Sequence, residues 1–238
     1  MLYDIVIIGA GIVGTATAFH LSKSKPGLRV CIIEKEPAVA VHQSGSNSGV
    51  IHSGIYYKPG SLKALNCRKG YEDLIRFCDT YGVRYEICGK IIAAVDAQEE
   101  AQLQAIYKRG MANGLKGLRL IDRQEALEIE PHVHCTAAVF VPQTGIISFR
   151  EVAEKQLEIA RLNGTEARFS TKLTNIRRHG GETVLETNTG EIKCRTVINC
   201  AGLYSDKVAA YTGHSEGLQI LPFRGEYYHL VPERQHLV

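Results

Sequence analysis

The 238-residue sequence has no tryptophan, two methionines and only seven prolines. Its seven cysteines (31, 67, 78, 88, 135, 194 and 200) are odd in number, and no pair has C-x-x-C spacing. That pattern argues against a disulfide-stapled scaffold and against a zinc ribbon. No apolar run approaches the roughly 20 residues that span a bilayer as a helix. The start, Met1 to Gly9, lacks the basic segment and small-residue cleavage site of a secretory signal, and the Arg and Ser of a mitochondrial presequence. Charge of one sign is missing as well. The 28 Lys+Arg against 25 Asp+Glu leave a net +3, with no basic stripe interleaved with aromatics, so no nucleic-acid partner is expected. His132, His134 and Cys135 are of metal-ligand type but have no fourth ligand at plausible spacing, so they read as a loop and no metal is expected. The expectation is a reduced, cytoplasmic chain, a state that permits peripheral attachment to a membrane.

What is present reads as an ordinary folded protein, at 45% hydrophobic and 22% charged residues, long enough for one large domain or two small ones. Tyr3 to Ile8 is an apolar run that stops at a glycine, as a buried parallel strand does. A helical pattern runs from Ile12 to Ser24, closed by Pro26-Gly27, and Arg29 to Glu34 is a second buried-strand run. Strand, glycine turn, helix and strand make one βαβ unit. The stretch from Val41 to Gly54 is too polar and glycine-rich for a core element. Helices follow over 61–81, 97–113, 122–130 and 148–163, the last with Ser148 as N-cap and Glu151 three residues on. Strands are expected over 90–95, 118–121, 137–141, 166–169, 173–178, 183–188 and 191–198, with glycine turns at 179–181 and 188–190. The fold class is α/β: a Rossmann-like domain over 1–82 and 146–215, interrupted by a mixed-sheet domain over 83–145 and 216–238.

Gly9-Ala10-Gly11-Ile12-Val13-Gly14 is a G-x-G-x-x-G between that first strand and helix, and Glu34 ends the second strand 20 residues after Gly14. Gly9 permits the tight turn, Gly11 lets the backbone approach a pyrophosphate, and Gly14 lets helix and strand pack closely. The helix N-terminus presents free N–H groups and a positive dipole end to the diphosphate. Glu34 would accept hydrogen bonds from ribose hydroxyls, and its charge disfavours a 2′-phosphate. The fingerprint alone does not separate NAD from FAD.

Two further strings tilt that choice: HQSGSNSGVIHSGIYYKPGSLKA over 42–64, and VINCAGLYSD over 197–206, where a strand after a meander ends in Ala201-Gly202. With PQTGIISFREVA (142–153) and PFRGEYY (222–228) they resemble the L-2-hydroxyglutarate dehydrogenase/oxidase family, within the D-amino-acid-oxidase-like superfamily of FAD oxidoreductases. The resemblance covers essentially the whole sequence. It implies FAD as cofactor, a small 2-hydroxy dicarboxylate as substrate, and oxidation of L-2-hydroxyglutarate to 2-oxoglutarate by hydride transfer to flavin N5. It further implies electron passage to a membrane quinone from the cytoplasmic face of the inner membrane. Other substrates of the same fold, such as glycerol 3-phosphate, glycine or sarcosine, are the alternative, and so is a non-catalytic FAD-binding fragment. Family chains are longer, and against that pattern this one reads as truncated after a strand over 222–231, with its substrate domain partial.

The chemistry needs a base for the hydroxyl proton and cations for two carboxylates. His52 is the candidate base, Arg224 the candidate carboxylate partner, and Tyr57 a hydroxyl near the flavin. Strand alternation would send one of Tyr56 and Tyr57 to the core. Ser44, Asn47 and Ser48 are expected as donors to the FAD diphosphate or ribityl chain. Gly9, Gly11, Gly14, Glu34, Lys35, Ala201 and Gly202 complete the expected cofactor set.

Overall fold

The computed structural model describes residues 1–213, 217–226, 228 and 230–237. In chain order the elements are β1 (Leu2–Ile8), α1 (Ile12–Ser24), β2 (Val30–Ile33), β3 (Val50–Ile51), α2 (Leu62–Tyr81), β4 (Tyr85–Glu86), β5 (Lys90–Ala94), α3 (Ala97–Ala112), β6 (Arg119–Asp122) and α4 (Arg123–Ile129). They continue with β7 (Ala137–Val141), β8 (Gly145–Ile147), α5 (Phe149–Leu162), β9 (Glu166–Arg168), β10 (Leu173–His179), β11 (Glu182–Thr187), β12 (Gly190–Asn199) and α6 (Ser205–Ala210). The chain forms two compact units. The first is Met1–Ser48 with Ser148–Arg224, the second Gly49–Ile147 with Gly225–Val238.

The first unit is built on a six-stranded sheet in the order β10-β11-β12-β1-β2-β9. β12, β1, β2 and β9 run parallel, and β11 and β10 return antiparallel through the hairpins at Asn188–Gly190 and His179–Gly181. All four residues of β2 are buried, as a parallel strand covered on both faces requires. One face packs Ile7, Val30 and Ile32 under α1 and α5, through Ala18, Ala153, Leu157 and Ala160. The small alanines let the helices approach closely. The other face gathers Val6, Ile8, Cys31, Ile33, Leu185, Ile192, Cys194 and Val208. Each aliphatic side chain fully withdrawn from water contributes about 1.5–3 kcal/mol, so this two-faced layer dominates the stability of the unit.

The second unit holds a three-stranded antiparallel sheet, β5-β7-β6, with α3 packed on it through Leu103, against Ala94, Val139 and Ile55. Ile121, Ala126, Cys135 and Ala138 form a smaller core beside α4, so Cys135 is a packed core thiol. A second small sheet, β3-β8-β4, closes the unit near its boundary. Helix ends follow the side chains expected of them. Ser61, Asp96, Asp122 and Ser148 each accept the N–H three residues on, and Gly82 ends α2 at φ +70°.

Three expectations change. The boundary falls at Ser48/Gly49 and Ile147/Ser148, so residues 49–82, assigned from sequence to the Rossmann-like domain, make their contacts within the second unit. Tyr56 and Tyr57 sit in a turn and not in a strand, so alternation does not sort them; the residue that enters the core is Ile55, 1% exposed. No strand forms among the described residues of 222–231, and Tyr227 and His229 lie outside them.

Two outcomes follow from this core. Leu185→Ala, at a fully buried position, lowers unfolding stability by about 2–5 kcal/mol, read as a fall in urea midpoint with unchanged slope. Burial pushes the Cys31 thiol up to about 12 and those of Cys78 and Cys194 to about 11, whereas Cys88 is exposed. Brief alkylation of the native protein therefore labels Cys88 and spares those three, as peptide mass spectrometry would show. Equal labelling of Cys31 would contradict this packing.

Candidate functional site

β1 lies between β12 and β2, so the chain leaves its C-terminal end toward one neighbour while the other arrives from the far end of the sequence. The crevice at such a switch point is where open parallel sheets take ligands. Gly9 turns there at φ +102°, donating its N–H to the Ile33 carbonyl at 2.8 Å. A Cβ on Gly9 would lie 2.4 Å from the Cys200 carbonyl oxygen, and one on Gly14 would lie 1.9 Å from the Gly9 oxygen. These two glycines thus let β1, α1 and the end of β12 meet. Gly11 is the extended N-cap of α1 and offers no side-chain acceptor, and no acidic residue occupies the first turn. The positive end of the helix is left without a carboxylate of its own.

Ser44 supplies one acceptor there, its Oγ taking the Ile12 N–H at 2.9 Å. Glu34 is oriented by two backbone donors: Oε2 accepts the Ala10 N–H at 2.8 Å and Oε1 the Glu36 N–H at 3.0 Å. A carboxylate has about four acceptor sites, so two remain for a ligand. Further along, Lys35 Nζ stands 4.0 Å from the centre of the Tyr204 ring and 3.5 Å from Glu36, whose other partner is His42 Nε2 at 2.8 Å. The His42 hydrogen bond, helped by Lys35, holds the Glu36 carboxyl below the usual carboxylate range against partial desolvation. Burial raises the Cys200 thiol, a hydrogen bond shared with the Thr17 hydroxyl offsetting part of the effect.

These groups enclose a cleft of about 590 Å³ within the first unit. It brings together Gly9, Gly11, Glu34, Lys35, Ser44, Ala201 and Gly202. Gly14, Asn47 and Ser48 are not among its lining residues. Gly14 acts beneath the cleft, as packing space. Asn47 Nδ2 is turned back to the Gln43 and Ser44 carbonyls at 3.0 and 2.9 Å, which shapes the loop. Ser48 is exposed at the end of the unit.

Sequence reasoning did not single out Thr171, Lys172, Leu173, Tyr204 or Lys207, all of which line the cleft. Only the β9–β10 connection brings the first three in, and no local motif marks them. Gly45 was also missed as a packing device: a Cβ there would lie 2.2 Å from the Ala40 oxygen and 2.5 Å from an Arg150 guanidinium nitrogen.

The cleft fits a dinucleotide on its own geometry. Its glycine floor and a helix end that carries no acidic residue suit a diphosphate, and its oriented carboxylate suits a ribose diol. Of the expected catalytic residues, Arg224 is the last residue of the first unit, and His52 and Tyr57 belong to the second. There the 52–57 segment is fastened from two helices. Cys67 Sγ reaches the His52 carbonyl at 3.4 Å, and Asn113 Nδ2 donates to the carbonyls of Gly54 and Tyr57 at 3.1 and 2.9 Å. His52 itself is exposed.

Glu34→Ala removes the two acceptor sites that face the cleft. Dissociation constants for FAD and ADP are expected to rise in parallel, by roughly tenfold or more, since hydrogen bonds to a charged group contribute about 1.5–3 kcal/mol. Equilibrium titration of both ligands checks this, and unchanged ADP binding would remove Glu34 from the site.

Comparison with known proteins agrees with this geometry. The family model described as "FAD dependent oxidoreductase" matches residues 4–238. L-2-hydroxyglutarate dehydrogenase of Indibacter alkaliphilus is 44% identical over 239 residues, covering 100% of this chain and 60% of the relative. The human mitochondrial L-2-hydroxyglutarate dehydrogenase is 43% identical, covering 99% of this chain and 54% of the relative. The chain thus spans somewhat over half the length of these relatives. Among solved structures, L-α-glycerophosphate oxidase of Mycoplasma pneumoniae, with FAD bound, superimposes with a TM-score of 0.82 at 28% identity, covering 89% of this chain and 57% of that one. Glycine oxidase of Bacillus cereus gives a TM-score of 0.75 at 25% identity, covering 88% and 58%. Fingerprint, switch-point cleft and family match converge: the chain belongs to the DAO family of FAD-dependent oxidoreductases, and its cofactor is FAD.

Proposed function

We propose that this protein oxidises L-2-hydroxyglutarate to 2-oxoglutarate. The observation that carries the reading is the identity of 40–44% to L-2-hydroxyglutarate dehydrogenases from bacteria and animals, sustained over essentially the whole chain. In this reading the first unit is the FAD-binding domain and the second contributes the substrate domain. When bound, the flavin supplies the two-electron acceptor for the hydride that leaves the carbinol carbon.

The chain's own residues then have separate tasks. The N-terminal turn of α1, with Gly9 and Gly11, holds the diphosphate; Glu34 takes the ribose hydroxyls; Lys35, Ser44, Ala201 and Gly202 line the same cleft. Asn47 shapes the loop that carries Ser44. His52 accepts the hydroxyl proton through an imidazole nitrogen. Arg224 pairs with the carboxylate next to the reacting carbon, where a planar guanidinium gives two parallel hydrogen bonds. Tyr57 supplies a hydroxyl near the flavin. Electrons leave to a membrane quinone, from a protein attached peripherally at the cytoplasmic face of the inner membrane. No helix among the described residues is long and apolar enough to cross a membrane.

The test is a visible absorption spectrum of the FAD-loaded protein, before and after anaerobic addition of L-2-hydroxyglutarate. The flavin band is expected to bleach, and 2-oxoglutarate to appear in equal amount. A band unchanged by L-2-hydroxyglutarate, but bleached by glycerol 3-phosphate, glycine or sarcosine, would overturn the substrate assignment. His52→Ala should slow the bleaching about 10²–10⁴-fold with FAD still bound. Unaltered reduction would remove His52 as the base.

A further inference from the structure

The second unit separates its charges along the chain. Between Gly49 and Ile147 every Asp and Glu falls within 72–100 or 122–130. The stretch 49–71 carries Lys58, Lys63, Arg68 and Lys69, and the stretch 101–121 carries Lys108, Arg109, Lys116 and Arg119, with no acid in either. Of these cations only Arg68 and Arg119 enter ion pairs among the described residues, with Glu72 and Glu125. The two stretches meet in space. Arg68 of α2 donates to the Asn113 carbonyl, at the end of α3, at 3.2 Å. A Cβ on the adjoining Gly114 would lie 2.1 Å from the same guanidinium nitrogen. Arg109 donates to the Tyr56 carbonyl at 3.0 Å, and Asn113 Nδ2 to the carbonyls of Gly54 and Tyr57 at 3.1 and 2.9 Å. The 54–57 turn, the first half of α2 and the C-terminal end of α3 thus adjoin one another.

The same region exposes large apolar side chains. Leu62 and Leu65, three positions apart and so on one face of α2, are 77% and 57% exposed. Arg68 and Lys69 follow Leu65 by three and four positions and share that face. Met111, three residues after Lys108 in α3, is 50% exposed. One exposed leucine is ordinary, but a cluster set among unpaired cations and free of acids fits a particular kind of surface. A bilayer boundary takes both components: apolar side chains enter it while ammonium and guanidinium groups stay at anionic headgroups.

We propose that the first half of α2 and the C-terminal end of α3 form the surface by which this protein docks on an anionic lipid bilayer. This rests on the peripheral attachment proposed above and deepens it; it does not depend on the substrate. Leu62 and Leu65 insert at the boundary, and Lys63, Lys69 and Lys108 meet the headgroups.

The experiment is vesicle flotation of the FAD-loaded protein, with phosphatidylcholine alone and with phosphatidylcholine mixed with phosphatidylglycerol. It compares the wild type with Leu62→Ser/Leu65→Ser, with Lys63→Gln/Lys69→Gln/Lys108→Gln and with Arg84→Gln. Arg84 is an exposed cation outside both acid-free stretches. Wild type and Arg84→Gln are expected to float with the phosphatidylglycerol vesicles and far less with phosphatidylcholine alone. Each cation near an anionic surface strengthens binding roughly fivefold, so the triple variant should lose about a hundredfold in lipid affinity. The leucine variant should lose about tenfold or more. High salt should weaken wild-type binding toward that of the triple variant. Equal binding by wild type and both multiple variants would overturn the docking surface and leave peripheral attachment to another face. So would an Arg84→Gln loss as large as that of the triple variant. A wild type that floats with neither vesicle would overturn the attachment itself. A wild-type dimer that Leu62→Ser/Leu65→Ser dissociates, without flotation, would give the face to a second copy of the chain and overturn the proposal. Unchanged FAD affinity in every variant guards against mistaking misfolding for a result.

Discussion

The close approach of backbone to backbone at Gly9, Gly14 and Cys200 is the constraint on which the first unit depends. A methyl group on Gly14 would lie 1.9 Å from the Gly9 oxygen, and one on Gly9 would lie 2.4 Å from the Cys200 oxygen. With hydrogens there, β1 can turn straight into α1 while β12 ends beside it, its Cys200 N–H bonded to the Ile8 carbonyl at 2.9 Å. That junction aims the helix axis at the crevice between diverging connections. It also brings Ala201 and Gly202 into the same cleft as Glu34. Binding geometry follows from packing geometry, and one extra carbon would cost both.

The electrostatics of the cleft are arranged along its length. The helix end lacks an acidic residue, so it favours an anion. Glu34 follows, held by two N–H groups and with acceptor sites to spare. Beyond it Lys35 and Lys207 stand 4.0 and 5.2 Å from the Tyr204 ring centre, while Glu36 ties Lys35 to His42.

The first unit was legible in sequence because its signals are local. A buried run, a glycine fingerprint and an acidic strand end lie within 34 residues, and capping residues marked the helix starts. Strands β3, β4 and β8, of two or three residues, were not read, since a period of two cannot show over so short a span. The domain boundary was misplaced because α2 buries only Ala64 and Cys78 among its 20 residues, which leaves little apolar pattern to say where it packs. Tyr56 and Tyr57 looked like strand residues for their aromatic character; the turn that holds them depends on Asn113 and Arg109, more than 50 positions away. Lys172, Tyr204 and Lys207 enter the cleft through tertiary placement alone.

Hydrogen–deuterium exchange of the protein with and without FAD tests the central claim most directly, because it reads backbone amides at the junction itself. The account predicts slowed exchange over residues 9–15, 34–36, 171–173 and 200–204 when FAD binds, with α3 and β5 little changed. FAD bound with no protection over 9–15 would contradict it, since the glycine junction and helix end would then lie outside the cofactor site.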